Sequence, residues 1–123
     1  MTVGVPIIGV APPTAVVIAE DLAGVRNALT SLLAREPDLE ISALAGSVAQ
    51  ALVSPGAVVV AGLRFPDGTA ADLCKSGRPV VVLTTVPADE RRDVDLSDAV
   101  EVVRYGDLRR DLANAIRRAV TPR

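Results

Sequence analysis

Residues 58–68, VVVAGLRFPDG, read as the end of a buried strand that runs into a sharp, solvent-facing turn. A run of Val and Ala without a polar face is what a strand covered on both sides by helices looks like, and Pro-Asp-Gly has the residue types that reverse a chain. The strand itself is expected over 57–61. Working outward, AVVIA at 15–19 and VVVLT at 80–84 have the same unbroken apolar character, and LEISA at 39–43 and VEVV at 100–103 supply two more strands. Between them lie helical patterns. Val25, Leu29, Leu32 and Leu33 fall at i, i+4, i+7 and i+8 within 23–35, the stripe of a core-facing helix that Pro37 ends. Residues 47–53 predict a short helix with Ser47 as N-cap, and 70–76 about two helical turns before Gly77 and Pro79. A last helix, capped by Asp107, carries Leu108, Leu112, Ala115, Ile116, Ala119 and Val120 along one face. Residues 86–98, VPADERRDVDLSD, are so charged and aperiodic that a loop or a single turn is expected there.

Strands alternating with helices imply an α/β, doubly wound parallel five-stranded sheet with helices on both faces. Such sheets bind or react at the carboxyl ends of their strands. Glu20, Asp21, Gly62, Thr84 and Arg104 stand at those ends.

Composition narrows what such a site does. The 123 residues are sized for one domain, expected over 14–120, and 50% are apolar. The apolar opening, VGVPIIGV, falls within residues 1–13, an N-terminal extension expected to pack as an extra strand or clamp. Residues 121–123 read as a tail or the start of a linker. With one Phe, one Tyr and no Trp, base-stacking platforms are absent. A net charge of -2 and a pI near 5.0 argue against direct nucleic-acid binding or membrane attachment by this segment. The absence of histidine removes the commonest general base and metal ligand. The single Cys74 excludes an internal disulfide, suits a reducing, cytoplasmic setting and reads as a small apolar filler. The opening has no basic n-region, is interrupted by Pro6, Pro12 and Pro13, and falls short of the roughly 20 apolar residues that span a bilayer. DERRD at 89–93 and the basic residues of RRDLANAIRR read as solvated faces.

Glu20-Asp21 after the first strand, VRNALTSLLAREPDLEI, GLRFPDG after the third strand and VVVLTT at the fourth together resemble a bacterial response-regulator receiver domain, in the flavour attached to LuxR-type helix-turn-helix regulators. The resemblance covers about 14–120. It implies the flavodoxin-like strand order 2-1-3-4-5, here with shortened third and fourth helices. It also implies a pocket in which an acidic pair helps hold Mg²⁺, an Asp at the end of strand three accepts a phosphoryl group, a Thr or Ser after strand four contacts that group and a Lys after strand five pairs with it. Glu20 and Asp21 match the acidic pair and Thr84 the hydroxyl. Gly62 stands where the acceptor belongs. Arg104 matches the lysine, with Tyr105 the competing choice. Glycine offers no nucleophile, and Asp67 belongs to the turn beyond the strand end. Neither metal nor other cofactor is therefore expected, and Arg104 is expected to neutralise the relic acidic pocket. The resemblance then implies a non-enzymatic, phosphorylation-independent pseudo-receiver, a homodimer, with a helix-turn-helix output domain attached or associated. Two alternatives stay open: a small-molecule ligand sensor, and a receiver with residual phosphotransfer through a displaced acceptor.

Overall fold

The apolar runs become strands and the striped segments become helices. The computed structural model describes residues 12–85 and 94–121. In chain order the elements are β1 (Thr14–Ala19), α1 (Ala23–Leu33), β2 (Leu39–Ala45), α2 (Val48–Val53), β3 (Val58–Gly62), β4 (Arg64–Phe65), β5 (Gly68–Thr69), α3 (Ala70–Cys74), β6 (Val80–Thr84), β7 (Glu101–Arg104), a 3-10 turn (Tyr105–Asp107) and α4 (Leu108–Val120). Five strands pair in parallel in the order β2-β1-β3-β6-β7. Counting those five alone, this is the expected 2-1-3-4-5.

The two-residue period of a strand divides the core. Val16, Ile18, Val58, Val60, Val81 and Leu83 face one side, where Leu29 and Leu33 of α1 and Leu112, Ala115 and Ile116 of α4 cover them. Val17, Ala19, Val59, Ala61, Val80 and Val82 face the other, under Val48 and Ala51 of α2 and Ala70 and Leu73 of α3. β3 and β6 are buried along their whole length because they lie inside the sheet between both helix layers.

Local chemistry sets the ends. Ser47 caps α2 as expected, its Oγ accepting from the Gln50 N–H at 3.1 Å. The backbone N–H groups of Val48 and Ala49 donate to the Asp67 carboxylate at 2.9 and 3.0 Å, which ties the Pro66-Asp67 turn to the start of α2. Arg78 secures the other end of α2, donating to the carbonyls of Ala51 and Ser54, both at 2.8 Å. α3 starts with a capping box formed by Thr69 and Asp72.

Three expectations need correction. The stretch after Gly62 is a small antiparallel hairpin, β4–β5, and not a bare turn; it closes because buried Phe65 anchors it to the α2–α3 face. Asp107 precedes α4 without a side-chain capping bond, since its carboxylate pairs with Arg110 at 2.9 Å. β7 runs to Arg104, one residue past its expected end. The expectation for 86–98 falls partly outside the described residues; from Val94 to Val100 the chain forms a turn and no helix. The N-terminal extension up to residue 11 also lies outside them.

Candidate functional site

Glu20 follows the last residue of β1, and its N–H still donates to the Ala45 carbonyl of β2 at 2.9 Å. That bond extends the sheet's constraint to the first acidic residue, whose side chain turns inward and is only 6% exposed. Asp21 is exposed. Arg26, one turn into α1, donates to the backbone carbonyls of both residues and so fixes the loop from behind.

β1 and β3 run side by side with Ala19 opposite Ala61, which brings Gly62 next to Glu20. A Cβ built on Gly62 would meet Glu20 Oε2, with Cδ at 2.9 Å and Oε1 at 3.0 Å. The Glu20 carboxylate thus fills the volume in which any side chain at position 62 would begin. It is held there by Tyr105, whose Oη donates to Glu20 Oε2 at 2.7 Å. Burial, and then the hydrogen bond and charge of Glu20, push the Tyr105 phenol pKa well above its ordinary value, so the phenol remains a protonated donor.

Arg104 does not neutralise the acidic pocket. It forms no ion pair with Glu20 or Asp21 among the described residues, and it is exposed. Strand alternation is the reason: Val103 points into the core beneath α4, so Arg104 points to the opposite face, and the chain turns at Tyr105 back toward β1. Tyr105, and not Arg104, reaches the acidic site. Thr84, 1% exposed, ends β6 opposite Arg104. The two line a separate cavity of about 440 Å³ with Thr85, Tyr105, Gly106, Asp107 and Arg110. Of the five expected residues, the structure therefore joins Glu20 to Gly62 and Thr84 to Arg104, and leaves Asp21 in solvent. Tyr105 links the two groups. Its signal in sequence is its place one step beyond Arg104, in a chain with only one other aromatic residue.

The residues do not fit Mg²⁺. The ion needs near-octahedral oxygen ligation, yet the Glu20 carboxylate is committed to Tyr105, Gly62 has no side chain, and no group of three or more His, Cys, Asp or Glu side chains among the described residues is placed to hold a metal. Asp67 offers no substitute, since both carboxylate oxygens accept from α2; those N–H groups, Ala49 first, hold its pKa below the ordinary carboxylate value. Burial, and then the nearby Asp98 and Asp95, raise the Cys74 thiol pKa, which disfavours its thiolate form. Among the described residues, no helix is long and apolar enough to cross a membrane.

No family model matches the chain. Over 85 residues, 61% of its length, it is 36% identical to the DNA-binding transcriptional activator DevR/DosR of Mycobacterium tuberculosis, and this match spans 39% of that protein. Among solved structures, a LuxR-family DNA-binding response regulator from Staphylococcus aureus superposes with a TM-score of 0.74 at 20% identity, over 86% of this chain and 98% of the other. The non-phosphorylated receiver domain of the stress response regulator RcsB from Escherichia coli gives 0.72 at 19%, over 85% and 91%. The response regulator domain of CheB from Thermotoga maritima gives 0.73 at 16%, over 89% and 99%. With its strand order and its helices on both faces, the chain has the fold of bacterial response-regulator receiver domains such as those of LuxR-family regulators.

Proposed function

We propose that this chain is a phosphorylation-independent receiver domain, a regulatory and dimerisation module of a bacterial transcriptional regulator with no catalytic activity of its own. The observation that carries this is the Glu20 carboxylate seated over Gly62 and held by Tyr105. Phosphoryl transfer needs an oxygen nucleophile in line with the donor and a metal to neutralise developing charge. Gly62 supplies no nucleophile. Glu20 is a poor displaced acceptor, because its carboxylate is buried against the Gly62 backbone and already accepts from a phenol. The relative DevR/DosR is a DNA-binding transcriptional activator, and this chain matches 39% of its length. That supports an output domain attached to or associated with this one, to which DNA contact would belong.

The test is incubation of the chain with a small phosphodonor and Mg²⁺, followed by intact-mass measurement and sedimentation. The expected result is no phosphoryl adduct and the same dimeric state with and without the donor. A stable adduct, or a change in oligomeric state on adding the donor, overturns the proposal.

A second reading, a small-molecule sensor, is favoured by one feature. The cavity of about 440 Å³ at the carboxyl ends of β6 and β7 is lined by Thr84, Thr85, Arg104 and the Arg110–Asp107 pair. With Arg110 already paired to Asp107, a small polar metabolite suits that lining. Binding there would raise the thermal midpoint of the wild-type chain and leave an Arg104→Ala variant unmoved.

A further inference from the structure

A groove of about 880 Å³ runs along α1, closed by the start of α4 at its upper end, where the strands have their carboxyl ends. Its volume is that of a small-molecule site. Val25, Leu29 and Leu32 of α1, with Leu108 and the ring of Tyr105, give it apolar walls. From Val25 to Leu32 the helix rises about 10 Å, so these walls match an alkyl body of moderate length.

The two ends of the groove differ in charge. At the upper end stands Arg109, exposed and without an ion pair among the described residues, since the neighbouring acids Asp107 and Asp111 both accept from Arg110. At the lower end Arg35 stands beside Glu36 and the last turn of α1, whose outward-facing carbonyls repel an anion. An anionic head is therefore drawn to Arg109, and a guanidinium can hold a carboxylate through two parallel N–H donors. We infer that the groove binds an amphipathic carboxylate, its head on Arg109 and its alkyl body along α1. The alkyl body would lie against the outer flank of Tyr105, the residue that holds Glu20, so occupancy is readable in the absorbance of the only tyrosine. This site is separate from the Glu20–Gly62 pocket and stands whether or not the chain takes a phosphoryl group.

Titration calorimetry of the full chain with decanoate, below its micelle-forming concentration, tests this, with 1-decanol as the uncharged control. Ala28→Glu places a carboxylate on the groove wall at an exposed helical position, and Val53→Ser removes an exposed apolar side chain on α2, across the sheet. The expected result is one decanoate per chain with a perturbed Tyr105 ultraviolet spectrum. Affinity should fall at least tenfold for 1-decanol, for Arg109→Ala and for Ala28→Glu, fall less than threefold for Arg35→Ala, and stay unchanged for Val53→Ser. No saturable binding, equal affinity for 1-decanol, a larger loss from Arg35→Ala than from Arg109→Ala, or binding that survives Ala28→Glu would overturn the inference. So would sedimentation showing that Ala28→Glu dissociates a dimer of a chain that binds no decanoate, which would give the groove to a second copy.

Discussion

Replacing Gly62 with alanine is the most informative single change. The backbone itself permits it: among the described glycines only Gly77 has a positive φ, so alanine at 62 would by itself stabilise by about 0.4–1 kcal/mol through the unfolded chain. The obstacle is the Glu20 carboxylate, which a Cβ would meet at its Oε2, Cδ and Oε1 atoms. The carboxylate must leave, and the bond from Tyr105 leaves with it. A hydrogen bond to a charged group contributes about 1.5–3 kcal/mol, and forced repacking of a filled site costs about 1–3 kcal/mol. The net expectation is a destabilisation of about 3.5 kcal/mol, which for a chain of this length lowers the Tm by about 10–18 °C. Urea unfolding and thermal scans of wild type, Gly62→Ala, Tyr105→Phe and the double variant provide the assay. If both changes act on one contact, the double variant is less destabilised than the separate effects combined. A Gly62→Ala chain as stable as wild type, or additive effects in the double variant, would refute the claim that Glu20 is held over Gly62.

Tyr105→Phe alone should cost about 1.5–3 kcal/mol by leaving the buried Glu20 carboxylate without its phenol donor, read by urea denaturation. Since Tyr105 is the only tyrosine and there is no tryptophan, ultraviolet titration reads its phenol directly: ionisation should lie above the ordinary value of about 10 in the folded chain. A pKa raised by folding contributes stability that is fully present below the unfolded pKa and is lost as pH rises through the folded one, so the wild type should lose stability above about pH 10 and Tyr105→Phe should lose less. The Asp67 shift has the opposite sign: its lowered pKa contributes stability above about pH 4 that is lost as pH falls through the folded value, and Asp67→Ala should lower the Tm at neutral pH and flatten that acid limb. Arg104→Ala should change stability by less than about 0.5 kcal/mol, because the side chain is exposed and unconnected to the acidic pair; a larger loss in urea denaturation would mean that it reaches the pocket after all.

The sheet was legible in the sequence because its strands are unbroken runs of Val, Ile, Leu and Ala, and α1 because its leucines keep a helical period. The β4–β5 hairpin was not: two-residue strands are too short to show alternation, and only burial of Phe65 distinguishes them from a turn. Position 62 was legible as a vacancy through the resemblance, but not what fills it. Glu20 and Asp21 look equivalent in sequence, yet the last sheet bond from Glu20 to Ala45 directs one inward and leaves the other in water. Charge complementarity favours Arg104 over Tyr105 as partner of the acidic pair, yet the phenol is the group that reaches it. Strand parity from the buried Val103 places Arg104 on the wrong face and was available from the pattern of β7 alone. A carboxylate before a helix, as at Asp107, reads as a cap, but the nearby Arg110 competes for it.

The decisive feature is where the Glu20 carboxylate sits when phosphorylation chemistry is offered. A crystal structure of the wild-type chain grown with Mg²⁺ and beryllium fluoride tests this directly. The carboxylate is predicted to remain over Gly62, within hydrogen-bond distance of Tyr105 Oη. Glu20 swung out to share a bound magnesium ion with Asp21, with the phenol released, would contradict it.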